Sequence, residues 1–110
     1  MLIQSIRKLA ADYPDACYPH TNCKYTTGLT GPGEGCIVGQ GLLAAFPHHL
    51  EALKDLDDRG LFGPESLLNA CQLNYSRTDI QWLETVQMHQ DKGTSWSESV
   101  ALADERLGLI

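Results

Sequence analysis

Four side chains in the first third of the chain, Cys17, His20, Cys23 and Cys36, come nearest to a constellation with chemistry of its own. Three thiols and an imidazole form a Cys3His set, and thiolate sulfur with imidazole nitrogen is what a tetrahedral zinc ion takes. The spacing speaks against zinc. The paired C-x-x-C knuckles of structural zinc sites are missing and free cysteine is commonly buried, so a small apolar cysteine cluster of reduced thiols is the preferred reading, with no metal and no cofactor expected. Cys23 and Cys36 flank a glycine-rich turn, which leaves an oxidation-dependent disulfide between them as a lesser option. Cys36 also stands at the start of an expected helix, where the dipole favours thiolate. With His48 or His49 nearby it would be a nucleophile, but Glu34 opposes the charge and no signature surrounds it. The alternative function these residues suggest is a small zinc-binding or redox-sensitive protein using Cys17, Cys23 and Cys36; a cysteine enzyme is more remote.

The other polar groupings have structural readings. Residues 31–35, Gly-Pro-Gly-Glu-Gly, lead into a helix as a phosphate cradle does, but neither G-x-x-x-x-G-K-[ST] nor G-x-G-x-x-G is present and Glu34 would repel the anion. Asp55, Asp57 and Asp58 lack the glycine and terminal glutamate of a calcium loop and read as a solvated helix face. His48 and His49 read as exposed residues, and His89 as the edge of an apolar arc.

The element that positions all of this is the stretch 31–46, a turn feeding an apolar helix in which Val38, Leu42 and Ala45 recur at i, i+4 and i+7. Gly39 and Gly41 inside it each cost about 1 kcal/mol relative to Ala, a loss that close approach of neighbours would offset, so this helix is expected at the centre. Before it, Leu2, Ile3, Ile6, Leu9 and Ala10 define a helix over 2–12, ended by Tyr13-Pro14. Cys23, Tyr25 and Thr27 alternate with polar neighbours, which predicts a small irregular β-hairpin near 17–30. After the central helix, Pro47 opens a helix carrying Leu50, Leu53 and Leu56 and stopped by Gly60. Leu61-Phe62 is a short apolar plug, and Pro64 begins a further helix ending near Asn74. Thr78 with Gln81 and Ser95 with Glu98 fit capping boxes, giving helices over 79–92 and 96–107 joined through Gly93 as an αα-hairpin. The expected architecture is mainly α (α+β at most), a single compact domain over 1–110 with Leu42, Leu83, Val86, Trp96 and Val100 buried.

Fourteen acidic and eight basic residues in 110 give a formal charge of −6. The cations Arg7, Lys8, Lys24, Lys54, Arg59, Arg77, Lys92 and Arg106 are dispersed, which argues against nucleic acid and anionic lipid as partners. No stretch approaches the roughly 20 apolar residues of a membrane span and no leader pattern opens the chain, so a cytoplasmic location is expected. The cytosol would also keep the thiols reduced.

Two segments, Gly35-Cys36-Ile37-Val38-Gly39-Gln40-Gly41-Leu42 and Val86-Gln87-Met88-His89-Gln90-Asp91-Lys92-Gly93-Thr94-Ser95-Trp96, following a loop of Tyr13-Pro14-Asp15-Ala16, resemble small cytosolic proteins of actinobacteria and their phages, especially mycobacteriophages. Alanine is commoner in that group at the position of Gly41, which implies closer helix packing here. The resemblance supplies no catalytic residues. It implies a non-enzymatic accessory protein that acts through protein–protein interaction, modulates a host process and is cytotoxic when overproduced. The implied partner is a host or phage protein, a host ATPase, chaperone or division protein being the classes considered, with the chain itself a monomer or small homo-oligomer. Candidate interaction residues lie in 48–62, namely His48, Asp55, Asp58, Leu61 and Phe62, and at the loop aromatics Tyr18 and Tyr25, because aromatic anchors with a polar rim dominate interface energetics.

Overall fold

The computed structural model describes residues 2–18, 24–26, 29–30, 33–61 and 63–108, and these form a mainly helical fold with one small strand pair. The apolar stripe of the first segment folds as α1 (Leu2–Asp12), burying Leu2, Ile6 and Ala10. Two-residue strands β1 (Leu29–Thr30) and β2 (Gly33–Glu34) pair antiparallel, with Leu29 opposite Glu34. Helix α2 (Ile37–Ala45) follows, and a 3-10 turn over Pro47–His49 runs into α3 (Leu50–Arg59). Helices α4 (Pro64–Ala70), α5 (Arg77–Asp91) and α6 (Trp96–Arg106) complete the described chain.

Where the elements depart from expectation, a local bond accounts for it. The strand pair sits at 29–34, later than the alternation of Cys23, Tyr25 and Thr27 suggested, and Tyr25 is in a bend because its N–H is bound by a side chain from α3 rather than by a ladder partner. Helix α5 starts two residues early: Ser76, not Thr78, is the cap, its Oγ accepting from the Asp79 N–H at 3.1 Å. Helix α4 stops at Ala70 rather than near Asn74, and Gln72 just beyond it adopts a φ of 55°. The predicted Ser95 cap is present, accepting from Glu98 N–H at 3.4 Å, as is the left-handed Gly93 at φ 90°.

Helix α2 is at the centre, packed against α1 and α5, and its glycines are the reason it can be. A Cβ on Gly41 would stand 2.5 Å from Ile6 Cγ1, and one on Gly39 would overlap the backbone carbonyl of Tyr25. Both absent side chains are thus replaced by neighbours. The expected core residues Leu42, Leu83, Val86, Trp96 and Val100 are all buried, joined by Ile37 of α2 and by Leu53, Leu67 and Trp82 from the surrounding helices.

Polar bonds lock the outer helices. Arg7 of α1 makes a two-pronged contact with Asp104 of α6, at 2.8 and 2.6 Å, while Trp82 Nε1 of α5 donates to the same carboxylate at 2.9 Å. The guanidinium also lies 5.0 Å from the Trp82 ring centroid. These bonds hold the Asp104 carboxyl below its ordinary range, the hydrogen bond from Arg7 being the largest cause. At the other end of α1, Ala16 and Pro14 carbonyls accept from the Trp96 and Ser97 N–H groups, satisfying donors at the start of α6. None of the described helices is long and apolar enough to cross a membrane.

Candidate functional site

The loop between α1 and α2 must lie close over α2, and one carboxylate on α3 brings it there. Asp57 Oδ1 accepts from the Tyr25 N–H at 2.8 Å, and Oδ2 from the Thr26 N–H at 3.0 Å and the Thr26 hydroxyl at 2.6 Å. The Asp57 carbonyl takes Lys24 Nζ at 2.9 Å. Asp57 is buried, which corrects the reading of the acidic run as a solvated face at this position, while Asp55 and Asp58 are exposed as that reading has them. The signal was present in the helical phase: Asp57 stands four residues after Leu53 and beside Leu56, on the inward stripe, where a charge persists only with partners.

With its backbone held, the loop places two aromatic side chains inside the molecule. Tyr25 is fully buried and Tyr18 nearly so, so neither is the exposed anchor that their loop position suggested. The Tyr18 hydroxyl accepts from Lys24 N–H at 3.1 Å. Tyr25 hydrogen-bonds the side chain of Gln87 on α5, and burial drives its phenol pKa upward. Next along α5, Gln90 is fully buried, and its Oε1 accepts from Ile37 N–H at 2.7 Å, capping α2 from outside. This role explains how α2 begins at Cys36 without a side-chain cap of its own. Both glutamines lie on the stripe of Leu83 and Val86, again a polar residue at an inward phase.

Outward of Gln87, α5 borders an open groove of about 450 Å³ lined by Pro64, Glu84, Gln87, Met88, Asp91 and Lys92. Glu84, Met88 and Asp91 recur at i, i+4 and i+7, so one helix face carries a thioether between two carboxylates. Met88 is 39% exposed. Asp91 is partly buried, and desolvation lifts its pKa to about 6, although its carboxylate accepts a 3.1 Å bond from Gln90 Nε2. Burial raises the phenol pKa values of Tyr18 and Tyr25, and the charges of Asp57 and then Asp91 add to it. The groove is thus a surface whose floor is secured from beneath by the Asp57-held loop. No residue of this lining except Pro64 and Lys92 has a reading of its own in the sequence, where 79–92 is a helix of the αα-hairpin.

The remaining predicted residues are not gathered at one place. Cys36 is disulfide-bonded, which corrects the expectation of reduced thiols and removes it as nucleophile or zinc ligand. Cys17 is an exposed free thiol whose sulfur lies 3.6 Å from the Asp15 carbonyl, and Cys71 is a buried free thiol with its pKa raised by desolvation. His20 and Cys23 lie outside the described residues, among which no cluster of three His, Cys, Asp or Glu groups could hold a metal. His48 is exposed and packs its ring 4.1 Å from that of His49 and 6.4 Å from that of Phe46. Asp55 pairs with Arg59 at 3.1 Å, Asp58 is exposed, Leu61 is 41% exposed, and Phe62 lies outside the described residues. No family model, curated protein or solved structure matches the chain.

Proposed function

We propose that this chain is a non-enzymatic accessory protein that works by binding another protein, in line with its resemblance to small phage and actinobacterial proteins. The observation that carries the reading is the α5 groove, where an exposed methionine stands between carboxylates on one helix face, with Pro64 of α4 completing the lining. A flexible, polarizable thioether adapts to an incoming apolar side chain, and a polar rim around it is the ordinary anatomy of an interface. A host protein in the bacterial cytoplasm is the partner this reading implies, with growth inhibition on overproduction as its cellular consequence. The test is affinity capture from a mycobacterial host with cross-linking through Lys92. A saturable partner, lost on Met88→Asp while the circular dichroism spectrum is unchanged, is the expected result; a partner indifferent to Met88→Asp would remove the groove from the proposal.

A second reading is favoured by the disulfide at Cys36. Disulfides are rare where glutathione keeps thiols reduced, so a protein that carries one into that pool is a redox-sensitive one. The Asp57 clasp would hold the Tyr25 loop by bonds that need no oxidation. Partner binding that responds to a thiol reductant distinguishes this reading from the first.

A further inference from the structure

We infer that the α5 groove receives a cationic, amphipathic peptide segment, one lysine or arginine paired with Glu84, another with Asp91, and an apolar side chain between them laid against Met88. The inference rests on the groove reading above and adds the chemistry of the occupant. Within the lining, two carboxylates face one ammonium, that of Lys92, and the whole chain carries a formal charge of −6. An acidic segment or a nucleic acid backbone would add like charge to the site, whereas a cation complements it. Asp91 has the most to gain. Its carboxylate is partly buried and ionises against a desolvation cost, which a cation brought to hydrogen-bond distance would offset.

The apolar half of the occupant follows from Met88, which leaves a thioether at the groove, with the buried Pro64 also in the lining. At the floor Gln87 is buried and bonded to Tyr25, so accommodation falls to the exposed methionine. A groove of about 450 Å³ suits a few side chains of a helix or extended segment rather than a domain face. Arg7, Lys8, Lys54 and Arg59 are paired with Asp104, Asp12, Glu51 and Asp55 on their own chain, and Lys24 is bound to the Asp57 carbonyl. A second copy of this chain is a poor source of the cation because it carries the same formal charge of −6 and, among the described residues, has only Arg77, Lys92 and Arg106 outside such pairings.

The experiment uses fluorescence anisotropy with three synthetic peptides of one helical pattern, leucine alternating at i and i+3 or i+4 with lysine, glutamate or glutamine. The lysine peptide should bind saturably and the glutamate peptide should not. Replacing both groove carboxylates (Glu84→Gln with Asp91→Asn) should weaken the lysine peptide about tenfold. An equal loss of charge on α3 (Asp55→Asn with Asp58→Asn) should leave it unchanged, and amide shifts in labelled protein should centre on α5. Absence of lysine-peptide binding, equal weakening by the α3 pair, or shifts confined elsewhere would overturn the inference. A glutamine peptide that binds the groove as tightly as the lysine peptide would overturn the charge assignment and leave the groove reading standing. A cellular partner whose footprint avoids α5 would instead fell that reading.

Discussion

Asp57 shows how much of this molecule turns on one side chain. Three donors from Tyr25 and Thr26 converge on its carboxylate, and hydrogen bonds to a charged acceptor each contribute more than neutral ones. Truncation would strand two backbone N–H groups, one of them buried, and release the loop that fixes the groove floor through Tyr25 and Gln87. Asp57→Ala should cost about 2 to 4 kcal/mol in urea unfolding, with Asp57→Asn losing less because one carbonyl oxygen remains to accept. Equal stability of wild type and Asp57→Ala would mean that the loop is held by other contacts.

At the level of elements, α2 is defined by what it lacks. Gly39 faces backbone and Gly41 faces a side chain, and this difference predicts different tolerances. The Tyr25 carbonyl is fixed by the bonds around it, so Gly39→Ala must displace the loop and should cost about 3 kcal/mol or more in thermal or urea unfolding. Ile6 Cγ1 at 2.5 Å belongs to a buried β-branched side chain that must shift with α1, a smaller displacement than moving a bonded loop carbonyl, and Ala is also a better helix former than Gly. Gly41→Ala should therefore cost about 1 to 3 kcal/mol, less than Gly39→Ala, and Ile6→Ala, which removes Cγ1, should cost less in that chain than in the wild type. Equal losses at the two glycines would show that the contacts do not differ as described.

For the molecule as a whole, two carboxylates set opposite slopes of stability with pH. Burial lifts Asp91 to about 6, above its unfolded value of about 3.9. Its ionisation therefore opposes the fold, fully above pH 6, and the opposition fades as pH falls towards 4. Asp104 is the reverse case, held below its ordinary value chiefly by the hydrogen bond from Arg7. Its contribution is complete above the unfolded value and lost as pH falls through the folded one. The thermal midpoint should rise from pH 7 to about 5 and fall below about 4. Asp91→Asn should remove the rise and Asp104→Asn should flatten the acid limb. A wild-type midpoint that is level between pH 7 and 5 would contradict the assignment of Asp91.

The helical class, the extent of α1, the stop at Gly60, the Ser95 cap and the central glycine-bearing helix were legible in sequence because each depends on short-range causes: apolar period, capping side chains and glycine stereochemistry. The inward phase of Asp57, Gln87 and Gln90 was equally written there. What it lacked was the identity of their partners, which lie 32, 53 or comparable numbers of residues away and meet only when α3 and α5 pack beside the loop and α2. The same holds for the burial of Tyr18 and Tyr25 and for the groove itself. A concave surface is made by two elements at once, and no periodicity within α5 alone discloses that Pro64 of α4 lines the same groove as Met88.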